Sequence, residues 1–375
     1  MKAIVNAKFI TNQDIIRDKI LLFGDKIVGF VDEVSSDIEV IDAKGGYVSA
    51  GFIDIHIHGS GGADVMDATP KALDLIGSSI LKYGTTSYLA TTMTMSKESI
   101  LNALENIRKY NPNQSQANLL GIHMEGPFIN PIKAGAQDST HIIKASIQLI
   151  EAYSDIVKMI TLAPEVYDNI AFVKQLHKQY PNILLSIGHS NATYDEAIEG
   201  FNCGISHATH MFNAMPPYHH RQVGLIGAVL DRDDISCDVI ADIVHTHAST
   251  LGLLYRLKQN SLMLITDAMR AGCMRDGRYD LGGQLVSVVG DKAILQDGTL
   301  AGSVLTLNKA VNNMLKHTNA TLIDVISMVT SLPAKKLGLN KGLLEIGYDA
   351  DIVIFDDEID IKLSIISGDI VYIKE

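Results

Sequence analysis

The sequence predicts an α/β fold: a (β/α)8 barrel carried between the two halves of a small β module built from both termini. Two observations predict it. After Gly51, short apolar strand-like segments alternate with amphipathic helical stretches, eight strands in all. At either end the texture changes to short β-type runs separated by polar turns. At roughly 150 residues per domain, a 375-residue chain has room for one large barrel with an appendage.

In chain order, the runs AIVNAKFI, KILLFG, KIVGFV and GGYVSA fill the first 48 residues, with turns at Thr11 to Asp14 and at Gly24-Asp25. The expected barrel strands are 52–58, 86–92, 119–125, 159–163, 183–189, 205–210, 236–241 and 262–267. Helices are expected at 71–83, 97–110, 146–153 and 166–180. A β-rich excursion follows at 279–300 and helices return at 303–337. The end, DADIVIFDDEIDIKLSIISGDIVYIKE, repeats the texture of the start. Residues 1–49 plus 343–375 are therefore assigned to one β module and 50–342 to the barrel, with separate modules at the two ends as the alternative arrangement.

Composition narrows the function. With 47% hydrophobic and 20% charged residues, the chain is neither a disordered acidic polymer, a collagen-like repeat nor a disulfide scaffold. Its formal charge of -12, with no concentrated basic patch, excludes a phosphate-backbone binder, so no nucleic-acid partner is expected. The cysteines Cys203, Cys237 and Cys273 are odd in number and lack CxxC spacing, which fits a reducing cytoplasm. No signal-peptide pattern opens the chain, and no segment reaches about 18 uninterrupted apolar residues, so no membrane partner is expected.

Five apolar strands end in groups that can bind metal or move protons. In GFIDIHIHGSGG, period-two alternation puts Asp54, His56 and His58 on one face and Ile53, Ile55 and Ile57 on the other. Imidazoles in a barrel interior are costly unless paired or bound to metal. HMEGPFINP places Glu125 at a strand end, where barrel active sites collect. ILLSIGHSNATY does the same for His189. In ISHATHMFNAMPP, His207 and His210 are three apart and cannot both face inward on a regular strand; His210, nearer the C-terminal end, is the ligand candidate and His207 is read as structural. LMLITDAMRAG stops at Asp267. Each group also has a plainer reading, as a helix cap, an ion-pair partner or a satisfied core histidine. Their convergence at one mouth favours a metal site of imidazoles and carboxylates, suited to Zn or Fe and compatible with Mn, Co or Ni.

This order of motifs resembles the amidohydrolase superfamily. HMEGPF, GHSNAT, THMFNAM, DIVHTH, TDAM and LAGS together are similar to the N-acetylglucosamine-6-phosphate deacetylase family within it. The resemblance implies a distorted TIM-like barrel with a small β-sandwich, and one or two divalent ions: the main one on Glu125, His189 and His210, a second at His56 and His58. It implies hydrolysis of the acetamide of an amino-sugar phosphate by metal-activated hydroxide, with Asp267, itself beside the metal, as general base and then general acid. Substrate contacts implied by the resemblance are the Asn213-Ala214 backbone, His245, Arg221, the Ala136-Gln137 loop, and Leu300, Ala301 and Gly302. His219 and His220 are read as surface residues.

A homodimer is also implied, with Arg221 reaching a neighbouring subunit. One departure stands out: relatives often carry histidine where KAGAQDS has Gln137, which donates a hydrogen bond but cannot become cationic. The competing functions are the same hydrolysis on the galactosamine epimer or an N-acyl amino acid, a nucleobase deaminase or cyclic-amide hydrolase, and a non-catalytic barrel scaffold.

Overall fold

The computed structural model describes residues 1–112 and 115–374. Eight parallel strands form one sheet in sequence order: β1 (Phe52–Ile57), β2 (Thr85–Thr92), β3 (Asn118–Glu125), β4 (Val157–Leu162), β5 (Leu184–Ile187), β6 (His207–Ala208), β7 (Ser236–Ile240) and β8 (Leu262–Ile265). Every residue of β1, β2, β5 and β8 is buried, as a sheet covered on both faces requires. β1 and β8 bring the ring nearly to closure. Asp54 on β1 accepts from the Thr266 hydroxyl at 2.6 Å and the Thr266 amide at 3.3 Å, and the Asp267 amide donates to the His56 carbonyl at 2.9 Å.

The outer helices form where caps and apolar spacing coincide. α1 (Pro70–Leu81) starts with proline behind Thr69, whose hydroxyl accepts from the Ala72 amide, and buries Leu73, Ile76 and Ile80 at three- and four-residue spacing. Fully burying each such side chain stabilises by about 1.5–3 kcal/mol. α2 (Lys97–Lys109) follows the same plan behind Ser96, and α3 (Asn169–Gln179) buries Phe172, Val173 and Leu176. α4 (Tyr194–Asn202) opens on a Thr193–Glu196 capping box. α5 (Gly224–Asp231), α6 (Ala248–Lys258), α7 (Leu307–His317), α8 (Leu322–Val329) and α9 (Ser331–Lys336) complete the set.

The helix expected at 146–153 does not form. Two short 3-10 turns, Ile147–Leu149 and Glu151–Tyr153, take its place, and among the described residues no α-helix joins β3 to β4. Ser146 makes no side-chain cap bond, and so short a segment lacks the length to sustain a helix without one.

The termini meet in one six-stranded sheet. Tyr47–Ala50 pairs antiparallel with Ile352–Phe355, Ala50 opposite Ile352 and Tyr47 opposite Phe355, so the first and last segments share a ladder. A four-stranded sheet from residues 2–42 shares with it an apolar core that includes Ile4, Phe9, Phe23, Val48, Ile352 and Ile365. The β-rich excursion is a three-stranded antiparallel sheet, Gly277–Leu281, Gln284–Val289 and Lys292–Leu295. Its apolar side packs on Met93 and Met269 beside the barrel mouth. Among the described residues no helix is long and apolar enough to cross a membrane.

Candidate active site

Three of the chemistry-bearing residues lie just beyond the strands expected to carry them. β5 stops at Ile187, β6 at Ala208 and β8 at Ile265, each two residues short of His189, His210 and Asp267. All three adopt left-handed backbone, with φ of 47°, 34° and 48°. Residues two apart on a regular strand share a face, so His189 and Asp267 would have followed Ile187 and Ile265 toward the helices. The left-handed residue turns the chain and aims each side chain into the mouth. The same turn lets both His207 and His210 enter the barrel interior, contrary to the alternation rule, because the strand between them ends at Ala208. Non-glycine residues held in this region cost on the order of 1–3 kcal/mol each and collect at functional sites.

The six expected ligands come together. Glu125 is central: its Oε1 lies 2.9 Å from His210 Nε2 and 3.2 Å from His189 Nε2, and its Oε2 lies 3.2 Å from His58 Nε2. His56 Nε2 is 3.5 Å from Glu125 Oε1 and 3.5 Å from Asp267 Oδ1, which is 3.3 Å from His58 Nε2. Two overlapping donor triads result, His56–His58–Glu125 and Glu125–His189–His210, every member buried.

The donor set fits a divalent metal. His189 Nδ1 faces the Lys133 carbonyl at 2.8 Å and His58 Nδ1 the Thr91 carbonyl at 3.2 Å. A carbonyl only accepts, so both rings carry a proton on Nδ1 and turn Nε2 inward as the atom that would bind a metal, the arrangement typical of metal-binding histidines. The paired imidazole nitrogens, 3.2 Å apart in His56–His58 and 3.1 Å apart in His189–His210, suit a shared cation better than each other. Burial alone would raise the Glu125 carboxyl; the His56 and His189 charges, with hydrogen bonds from His189 and His210, hold it well below the usual carboxylate range. For Asp267 too, burial is outweighed, here by His56 and His58, and the carboxyl is held down. Both acids are ionised at neutral pH.

The cavity in front of these ligands is about 240 Å³. His58, Glu125, His189, His210 and Asp267 line it, as do Ala136, Gln137, Asn213, Ala214, His245, Leu300 and Gly302. His56 lies beneath them, fully buried. Ala301 stands apart: it is buried in the apolar cluster with Met269 and Leu281, its amide bonded to the Ala293 carbonyl. Arg221 is not brought to this chain's cavity either. It is exposed beside His220, its Nη1 2.8 Å from His220 Nε2, and His219 and His220 are exposed too.

Gln137 is turned toward the metal ligands. Its Nε2 donates to Glu125 Oε2 at 2.6 Å while its Oε1 accepts from the Thr94 amide at 2.6 Å, so the backbone donor defines which way the amide points. Other contributors escaped the sequence reading. Asp242 accepts from the Val244 and His245 amides and holds His245 Nδ1 at 2.7 Å, and Asp238 contacts both His207 and the His210 backbone. Their one sequence signal was a carboxylate within or ending the apolar run SCDVIAD. Met93, Leu281 and Thr299 also line the wall, with Gly135, and gave no signal.

Residues 47–374 match the amidohydrolase family. The N-acetylglucosamine-6-phosphate deacetylase of Lysinibacillus sphaericus is 42% identical over 338 residues, 88% of this chain and 87% of the relative. The N-acetylgalactosamine-6-phosphate deacetylase of Escherichia coli O157:H7 is 31% identical over 368 residues, 96% of this chain and 97% of that one. The crystal structure of the N-acetylglucosamine-6-phosphate deacetylase from Pasteurella multocida superposes with a TM-score of 0.94 at 32% identity, covering both chains fully. A buried His/Glu ligand set at a barrel mouth and similarity along most of the chain lead to one conclusion: this protein belongs to the amidohydrolase family, alongside the N-acetylglucosamine-6-phosphate deacetylases.

Proposed function

We propose that this enzyme hydrolyses the acetamide of N-acetylglucosamine 6-phosphate to glucosamine 6-phosphate and acetate. The observation that carries the reading is the clustering of four imidazoles and two carboxylates at the floor of one small cavity, all but His56 lining it, in a chain 42% identical to a deacetylase of that substrate. In this reading Glu125, His189 and His210 hold the main ion, and His56 and His58 with Glu125 hold a second; Zn or Fe suits these donors best. Such an ion makes water a competent nucleophile near neutral pH and draws charge from an amide carbonyl.

The chain's own groups do the rest. Asp267, ionised at the mouth, accepts the proton of the attacking water and delivers it to the sugar nitrogen as the C–N bond breaks. His245, its Nδ1 engaged by Asp242, presents Nε2 toward the phosphate with the Asn213-Ala214 backbone. Leu300 and Gly302, which line the cavity, border the acetyl group. Arg221, which is exposed and does not line its own cavity, serves the phosphate of a second copy in a homodimer. Three free cysteines accord with a reducing cytoplasm.

The test is acetate release by metal-replete protein from N-acetylglucosamine 6-phosphate, with the unphosphorylated sugar and the galactosamine 6-phosphate epimer in parallel. Turnover confined to the first is expected. Preference for the epimer would move the assignment toward the Escherichia coli relative's substrate, and no turnover despite verified metal would move it to another amide.

A further inference from the structure

His210 is the one member of its triad whose ring has no fixed orientation from behind. His189 is anchored through Nδ1 to the Lys133 carbonyl, but His210 Nδ1 is buried and meets no protein partner among the described residues. Its support comes instead through the main chain. The His210 amide donates to Asp238 Oδ1, and the Met211 amide donates to the Asp238 carbonyl at 2.9 Å. These two bonds bracket the left-handed turn, φ 34°, that aims the ring at Glu125.

Asp238 is itself held by a second histidine. Its Oδ2 lies 2.9 Å from His207 Nε2, and His207 Nδ1 lies 2.7 Å from Ser236 Oγ. Burial pushes the His207 pKa below its ordinary value, so the ring carries one proton. A carboxylate only accepts, which puts that proton on Nε2 and makes Nδ1 an acceptor for the Ser236 hydroxyl, at 2.7 Å the nearer of its two acceptors, the Ser206 carbonyl lying at 3.2 Å. Asp238 and His207 are fully buried and Ser236 nearly so. None of the three touches the cavity in front of the ligands.

We propose that Asp238, held by His207 and Ser236, is a positioning residue that orients His210 for metal binding by clamping its backbone in place of its ring. The proposal rests on the reading of Glu125, His189 and His210 as metal ligands. A buried carboxylate that loses its donor relaxes toward other partners, and the turn it brackets relaxes with it. Supports behind a metal ligand typically contribute about 10–100-fold in metal affinity.

The experiment measures metal dissociation constants by competition with a chromophoric chelator, alongside thermal melts, for wild type, His207→Phe, His207→Gln and Ser236→Ala. Gln restores an N–H toward Asp238 and an acceptor toward Ser236; Phe restores neither. His207→Phe is expected to weaken the tighter metal site about 10–100-fold, while His207→Gln stays within about threefold of wild type and Ser236→Ala falls between them. Affinity unchanged in folded His207→Phe overturns the clamp, as does a His207→Gln that falls as far as Phe. Should His207→Phe not fold, the Gln and Ala variants decide: the clamp requires Ser236→Ala to bind more weakly than His207→Gln, and the reverse order overturns it. Wild type that binds no divalent metal would overturn the metal-centre reading and the clamp together, whereas metal-binding wild type with indifferent variants overturns the clamp alone.

Discussion

The amide of Gln137 donates to Glu125 Oε2 at 2.6 Å, while Oε1 of the same carboxylate faces His189 and His210. One bond thus ties down the carboxylate that both donor triads share. Freed from it, Glu125 can rotate toward the His189–His210 side and abandon His58. Gln137→Leu is therefore expected to lower metal affinity at the His56–His58 position by about 10–100-fold and to reduce acetate release with it. Metal content after dialysis against a graded chelator, set beside the rate, checks this; equal metal content in variant and wild type would show that Gln137 acts elsewhere.

Asp267 reaches the mouth through a left-handed turn after β8 and is held ionised by neighbouring histidines despite burial. The proposed proton transfers need that charge. Asp267→Asn keeps the shape but cannot take a proton, and a drop in kcat of about 10²–10⁴-fold is expected, with a smaller change in KM. Steady-state acetate release from metal-loaded protein measures it, and a kcat near wild type would remove Asp267 from the proton path.

The strands were legible by different signals: 262–265 is the continuous apolar run that a covered parallel sheet favours, 52–57 alternates apolar with polar residues, and 85–92 is rich in threonine around Tyr88, Leu89 and Ala90, though every residue of the three is buried. Candidate ligands were legible only as a set: each imidazole or carboxylate at a strand end has a plainer use, and their convergence at one mouth was the signal. Less visible were the turns that aim them. His189, His210 and Asp267 occupy left-handed backbone without being glycine, so no local signal marked where β5, β6 and β8 stop. Asp238 stayed hidden for another reason: it contacts His210 from 28 residues away, across a strand pairing that alternation along one segment cannot reveal. The segment 146–153 has apolar spacing enough for a helix, but packing of Leu149 and Ile150 into the core proceeds without one.

Arg221 is exposed and paired with His220 rather than with this chain's cavity. If it completes the phosphate site of a second copy, Arg221→Ala should raise KM for the phosphorylated sugar by about tenfold or more, the scale of a lost charge-assisted contact, with kcat little changed. Mixing decides where it acts. Combined Arg221→Ala and Asp267→Asn chains, allowed to exchange subunits, should regain low-KM turnover, because a mixed dimer contains one site with both residues intact. Activity equal to the sum of the separate variants would place Arg221 outside a shared site.

At the opposite end of the barrel, Lys336 tests the electrostatics of the fold independently of the active site. Its Nζ donates to the Ser206 carbonyl at 2.7 Å, and burial pushes its pKa down to about 8, with Lys258 adding repulsion and Asp234 opposing it. The folded state therefore releases this proton near pH 8, whereas the unfolded chain keeps it to about 10.4. Between those values the unfolded state binds more protons, so the Lys336 contribution to stability rises with pH. The buried Cys237 thiol, pushed up to about 12, works the other way, which is why the comparison must be with a variant lacking only Lys336. Urea unfolding of wild type and Lys336→Met at pH 7 and pH 9.5 should show wild type gaining about 2 kcal/mol on the variant as pH rises. A gap that does not change with pH would mean that Lys336 titrates as a solvated lysine and that its ammonium has left the Ser206 carbonyl.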